Sequence, residues 1–233
     1  MIRDKGIVIN KSNWKESSFL VSFFCQNHGN ITAIVQGAKK PKSPYFAHYE
    51  KGNILEVIFT KKPTASLYKL TASTVLESYD SIPKSYTQLL AIDTILEIYT
   101  QLMFSEDESS LFFELLRVYL DYIVKVSQNH LLVIWRFLVR LTEEMGFPIV
   151  VISDNSYQIC DKTGFLARYD IDFIQTVESW LRILPATSRI INTENILNPT
   201  CKVMNTFFFD WFESHLNKKI YHKALKLYED AFT

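Results

Sequence analysis

The chain reads as an α+β protein, with an N-terminal OB-like β-barrel over residues 1–80 followed by an all-helical domain over residues 81–233. Three observations predict this. Five short β-rich runs separated by turns fill the first eighty residues. The apolar period then lengthens to a helical one after "SIPKS" (81–85). Charge divides at the same place: residues 1–80 carry eleven basic and six acidic groups, whereas residues 81–152 carry five and nine. Seventeen Phe and twelve Tyr in 233 residues predict cores dominated by aromatic packing.

The strands are read in order. "KGIVINKS" (5–12) is short and β-branched, and "SFLVSFFCQ" (18–26) follows a polar turn. "NHGN" (27–30) is a tight turn in which Gly29 can take positive φ, and "ITAIVQG" (31–37) is the second arm of that hairpin. "NILEVIFT" (53–60), the turn "KKP" (61–63) and "SLYKLTASTVLE" (66–77) complete the set. No helix in this stretch could cover so small a sheet, so closure into a barrel is the economical way to remove edges. Five strands in eighty residues suit an OB-like barrel, with a small SH3-like barrel as the alternative.

The helices follow. Leu89, Ile92, Leu96, Tyr99 and Met103 share one helical face. "SEDESS" (105–110) supplies cap and first-turn carboxylates to a helix over 111–126. A third helix over 131–147 is apolar nearly all round and closes on Gly146 as a left-handed cap, with Pro148 beyond. These three are expected to form a bundle. An irregular segment at about 149–169 interrupts the pattern. Helices resume over 170–184, capped by Asp170 or Asp172, over 199–216, opened by Pro199, and over 221–232.

Several function classes are disfavoured. Cys25, Cys160 and Cys201 are too sparse for a disulfide framework and form no zinc-type pair, so no metal and no cofactor is expected. His28, His130, His215 and His222 form no metal-ligand set either. No charge-free run reaches the ~18 apolar residues of a membrane helix, and the start lacks a signal-peptide core, which predicts a cytoplasmic protein with no membrane contact. No serine sits in a nucleophile elbow, and the acids lie in caps and on helix faces, so no enzyme class is indicated.

The oddest stretch is "VQGAKKPKSPYFAHYEKGN" (35–53). Gly37 and the Lys42–Ser43 pair mimic a P-loop. However, Pro41 stands where the second glycine belongs and offers no N–H to a phosphate, and no helix follows. What remains is a cluster of cations and aromatics: Lys11, Trp14 and Lys15 in the first turn; Lys39, Lys40 and Lys42 followed by Tyr45 and Phe46; and Lys61 and Lys62 in a later turn. Nucleic-acid surfaces pair lysine with aromatic groups in this way. Phe46 and Tyr49 are expected to be buried anchors between loop and barrel instead.

The stretch "DKGIVINKSNWKESSFLVSFFCQNHGNITAIVQGAKKPKS" (4–43) resembles the start of the bacterial RecO family of recombination mediators. The matching features are the strand Gly6–Ile9, the pair Glu16–Ser17, the turn His28–Gly29, and Gly37 to Ser43, which fits a glycine-alanine-basic-basic-x-basic-serine pattern. "NILEVIFTKK" continues like that family, and "FFFDWFESHLNKKIYHKALKLYED" (207–230) is similar to its closing helix pair. The resemblance implies binding of single- and double-stranded DNA, annealing of complementary strands, and contact with single-strand-binding protein and RecR that assists RecA loading. It also implies association with the nucleoid. It points to Lys39, Lys40 and Lys42 as phosphate contacts, supported by Lys11, Lys15, Lys61 and Lys62. Many such proteins carry a four-cysteine zinc cluster after the third helix. Here Cys160 stands alone, and other members lack the cluster too. The alternative is a protein-interaction adaptor with weak or no DNA binding of its own, since the net charge is zero and Arg3 is the sole arginine among the first eighty residues.

Overall fold

The computed structural model describes residues 1–39, 48–61, 65–79, 85–102, 110–154, 156–159, 164–184 and 198–230. Five strands, β1 (Ile2–Trp14), β2 (Ser18–Cys25), β3 (Gly29–Val35), β4 (Ile54–Thr60) and β5 (Tyr68–Glu77), close into a barrel in the order β1-β2-β3-β5-β4. The chain is therefore α+β, with an OB-like barrel first and helices after it. Neighbours are antiparallel except β3 and β5, whose parallel seam aligns Ala33 with Tyr68 and Ile34 with Lys69. Gly29 takes φ 57° at the start of β3, the conformation its turn requires.

Side-chain alternation fills the barrel. Phe19, Val21 and Phe23 of β2 point inward with Ile31, Ala33 and Val35 of β3 and Phe59 of β4. Tyr49 joins this core at 1% exposure, its ring edge-on to Phe23 and its hydroxyl 2.8 Å from Ser73 Oγ. Gly6 lies opposite Cys25 in the register. A Cβ placed on it would come 3.2 Å from Phe23 Cδ1, so a side chain there requires the phenyl ring to give by a few tenths of an ångström.

The register of β1 slips between Val8 and Asn10. Before the slip, Gly6 and Val8 face in. After it, Lys11 aligns with inward Val21, while Ser12 and Trp14 align with outward Leu20 and Ser18. The extra residue, Ile9, exchanges the two faces of the strand, as a bulge must when the side-chain period is two.

The start of β1 is fixed by a buried carboxylate. Asp4 accepts hydrogen bonds from the backbone N–H groups of Lys5 (2.8 Å) and Asn27 (3.0 Å) and from Asn27 Nδ2 (2.9 Å), and His28 Nδ1 lies 2.6 Å away. A charge with no solvent exposure needs such a set of donors. Tied this way, β1 cannot separate from the β2–β3 turn.

The helices are α1 (Tyr86–Leu102), α2 (Ser110–Lys125), α3 (His130–Glu144), α4 (Ile171–Ile183), α5 (Asn198–Leu216) and α6 (Lys223–Asp230). The segment between α3 and α4 holds a two-stranded hairpin, β6 (Val151–Asp154) and β7 (Ser156–Ile159), then a 3-10 turn over Phe165–Arg168. Backbone proximity groups the chain into two compact units: Met1–Ser85 with Tyr99–Val124, and Tyr86–Ile98 with Lys125–Thr233. The expected three-helix bundle is thus not the grouping found. α2 clusters with the barrel because outward Phe24 of β2 packs on Tyr99 (ring centroids 5.0 Å apart) and Phe113 (6.5 Å). Arg117 ties the same helix to β5 through Glu77 at 3.2 Å.

In the second unit α3 is buried nearly all round, and Trp135 donates its indole N–H to Asn205 Oδ1 of α5 at 2.8 Å. Asn205 in turn donates to Glu229 of α6. Gly146 (φ 85°) follows the end of α3, and Asp170 caps α4 by accepting from Phe173 N–H at 2.8 Å, both as expected. Two details differ from the sequence reading. Leu89 is 47% exposed, because the buried side of α1 is broad and centred on Ile95 and Leu96. The first turn of α2 contains no acid, since the helix starts only at Ser110; residues 105–109 lie outside the described residues. No helix among the described residues is long and apolar enough to cross a membrane.

Two outcomes test this packing. Gly6→Ala should destabilise the protein by about 1 kcal/mol in urea unfolding, overpacking against Phe23 outweighing the gain in strand entropy; a neutral result would show that the ring yields freely. The second concerns His130, which is 1% exposed and bonded through Nε2 to Val126 O, and whose pKa burial lowers. The unfolded chain then takes up the proton first, so stability present above about pH 6.5 is lost as the pH falls. His130→Gln keeps a donor for that carbonyl and should flatten the stability–pH profile between about pH 7 and 5.

Candidate nucleic-acid interface

Strands β2, β3 and β5 share an outward face of the barrel. Leu20 and Ser22 of β2, and Thr32 and Ile34 of β3, are half-buried there, with Ser22 Oγ and Thr32 Oγ1 3.1 Å apart across the strand pair. Lys69 of β5 is exposed and stands in register with Ile34, on the same face. The opposite end of the barrel's outer surface is apolar: Ile7, Phe24 and Ile54 align with one another and are buried. This face is therefore mixed, with Ser22, Thr32 and Lys69 beside Leu20 and Ile34, and lies in the barrel region that OB-like proteins use for oligonucleotides.

The β1–β2 turn forms one rim. Lys15 is exposed at φ 53°, a left-handed conformation that a lysine adopts at a cost of about 1 kcal/mol. Its carbonyl accepts from Lys39 Nζ at 3.3 Å, and the Lys39 backbone N–H donates to Ser17 O at 3.1 Å. Lys15 and Lys39, 24 positions apart in sequence, are thus held together at this rim. Lys40 and Lys42, with Tyr45 and Phe46, follow directly but lie outside the described residues, as does Lys62. Lys61 is exposed, with its ammonium 4.8 Å from the centre of the Tyr68 ring at the start of β5.

Lys11 is placed differently. The bulge turns it toward the barrel mouth, where its ammonium lies 5.2 Å from the Phe19 ring centre and pairs with Glu50. Arg3 pairs with Glu56 at 2.9 Å. These two cations are largely neutralised within the fold. By contrast, among the described residues Lys15, Lys39 and Lys69 have no carboxylate partner. Lys69 escapes a sequence reading because only the β3–β5 seam shows which face it shares; its alternation with Tyr68 and Leu70 was the available signal.

The chemistry open to this surface is ionic and stacking contact. Burial, reinforced by Asp4, pushes the Cys25 thiol well up, and burial with Glu229 pushes Cys201 up to about 11, so neither is poised as a thiolate. Cys160 lies outside the described residues. Among the described residues no group of three His, Cys, Asp or Glu is placed to hold a metal ion.

The family model "Recombination protein O N terminal" matches residues 1–79, the span of the barrel. A protein named DNA repair protein RecO from Chloroherpeton thalassium is 29% identical over 165 residues, 70% of this chain and 61% of that protein. One of the same name from Prosthecochloris aestuarii is 23% identical over 63% of this chain and 56% of its own length. A third, from Acetivibrio thermocellus, is 24% identical over 93% of this chain and 86% of its own. The chain thus spans less than two thirds of the first two relatives.

The rim supports one separable prediction. Lys15→Gly removes both the left-handed strain and a cation. It should raise stability by a few tenths to about 1 kcal/mol in urea unfolding while weakening binding to a labelled oligonucleotide. A variant with unchanged affinity would remove Lys15 from the interface.

Proposed function

Because the chain belongs to the RecO family, we propose that it is a DNA repair protein that binds single- and double-stranded DNA and anneals complementary strands. In this reading residues 1–80 hold the nucleic acid. Residues 81–233 receive protein partners, single-strand-binding protein and RecR among them, so that RecA is loaded onto covered single strands. The observation that carries the reading is the set of lysines with no carboxylate partner among the described residues, Lys15, Lys39 and Lys69, around the outward face of β2, β3 and β5.

The mechanism needs no catalytic group. Two strands repel through their phosphates, and each lysine that neutralises a phosphate releases condensed counterions and lowers that repulsion. Once two strands share one basic surface, base pairing supplies the free energy of annealing. Lys39, Lys40 and Lys42 are assigned to phosphates, with Lys15, Lys61 and Lys62 in support and Lys69 as an addition from the strand face. Lys11 contributes less, because Glu50 already meets its charge.

The test is the salt dependence of binding to a labelled single strand. Wild type should show a steep log–log slope, and Lys39/Lys40/Lys42→Ala should make it shallower by about 2, at roughly 0.7 for each lost phosphate contact. An unchanged slope would remove these lysines from the interface. Absence of wild-type binding at low salt would favour the adaptor reading instead.

A further inference from the structure

We propose that Trp14 is a base-stacking residue that makes the barrel prefer single-stranded over paired DNA. The proposal rests on the DNA-binding reading above and adds a specificity to it. Its ground is the bulge in β1. Without the slip between Val8 and Asn10, position 14 would face the barrel interior with Val8. With it, Trp14 aligns with Ser18 and faces outward beside Ser12 and Leu20.

The indole is half-buried, unlike the other large aromatic side chains of β2 and β4. Phe19, Phe23, Phe24 and Phe59 are at most 4% exposed. Among the described residues the Trp14 side chain makes no ring contact and no hydrogen bond. Its neighbours suit a single strand. Lys15 follows it directly, Lys39 is tethered to the Lys15 carbonyl at 3.3 Å, and Leu20 and Ile34 offer half-buried apolar surface on the same face. A cationic rim tracks the backbone while the accessible part of an outward ring takes a base, the pairing that sequence-tolerant single-strand sites use. A base inside a duplex has both faces covered, so stacking on Trp14 discriminates against paired DNA, whereas the lysines do not.

The experiment measures binding to an oligothymidylate, to an abasic strand of equal length and charge, and to a blunt duplex. Trp14→Ala should weaken oligothymidylate binding about 5- to 150-fold, the range expected for one stacked base. It should leave the abasic strand, the duplex and the salt slope unchanged. Trp14→Phe, which keeps a ring on the strand, should fall between wild type and Trp14→Ala. Equal losses on all three ligands would indicate a structural role and overturn the proposal, as would no loss at all. Wild type alone gives a check that needs no variant, because equal affinity for thymidylate and abasic strands also overturns it. Failure of wild type to bind any of the three would overturn the DNA-binding reading itself, and this inference with it.

Discussion

The barrel depends on a parallel seam only two residue pairs long, Ala33 with Tyr68 and Ile34 with Lys69. Every other strand contact is an antiparallel pairing that an open sheet could also make. The seam closes the cylinder, so no long edge of unpaired N–H and C=O groups remains. It also brings β5 beside β3, and with it Lys69 into line with Ile34 and Leu20. Inside, Phe59 of β4 meets Phe23 of β2 and Tyr68 of β5 edge-on, so aromatic packing links three of the five strands.

Closure gives the barrel an outer surface, and the bulge at Ile9 with α2 divides it. Below the bulge, Ile7, Phe24 and Ile54 form an apolar patch that Tyr99 and Phe113 help to cover. Above it, the same strands show Ser12, Ser22 and Thr32 to solvent. One inserted residue thereby sends Lys11 inward to Glu50 and Trp14 outward to the open face. Asp4, fully buried and supplied with four donors, holds the first strand to the β2–β3 turn, which keeps the register on which this division rests.

The charge pattern follows from the same geometry. A count of basic residues in the first eighty positions overstates the field, because Lys11 and Arg3 each meet a carboxylate. The field that reaches solvent comes from positions such as Lys15 and Lys39, which have no carboxylate partner among the described residues. Lys15 accepts backbone strain to sit there, and its carbonyl in turn holds Lys39.

Much of the fold was legible from the chain alone, because it rests on local rules. Alternation in "SFLVSFFC" and "GNITAIV" marks strands, a change of apolar period marks the first helix, and Gly29, Gly146 and Asp170 carry turn and cap chemistry in their own side chains. The resemblance of residues 4–43 to the RecO family was likewise visible in contiguous motifs. What the chain alone could not decide was anything set by register or by distant partners. The exchange of faces at Ile9, the pairing of Lys11 with Glu50, the place of Lys69 and the docking of α2 on Phe24 each join residues far apart in sequence. Such contacts are chosen by which packing buries the most apolar surface with its polar groups satisfied, and only the assembled barrel makes that choice.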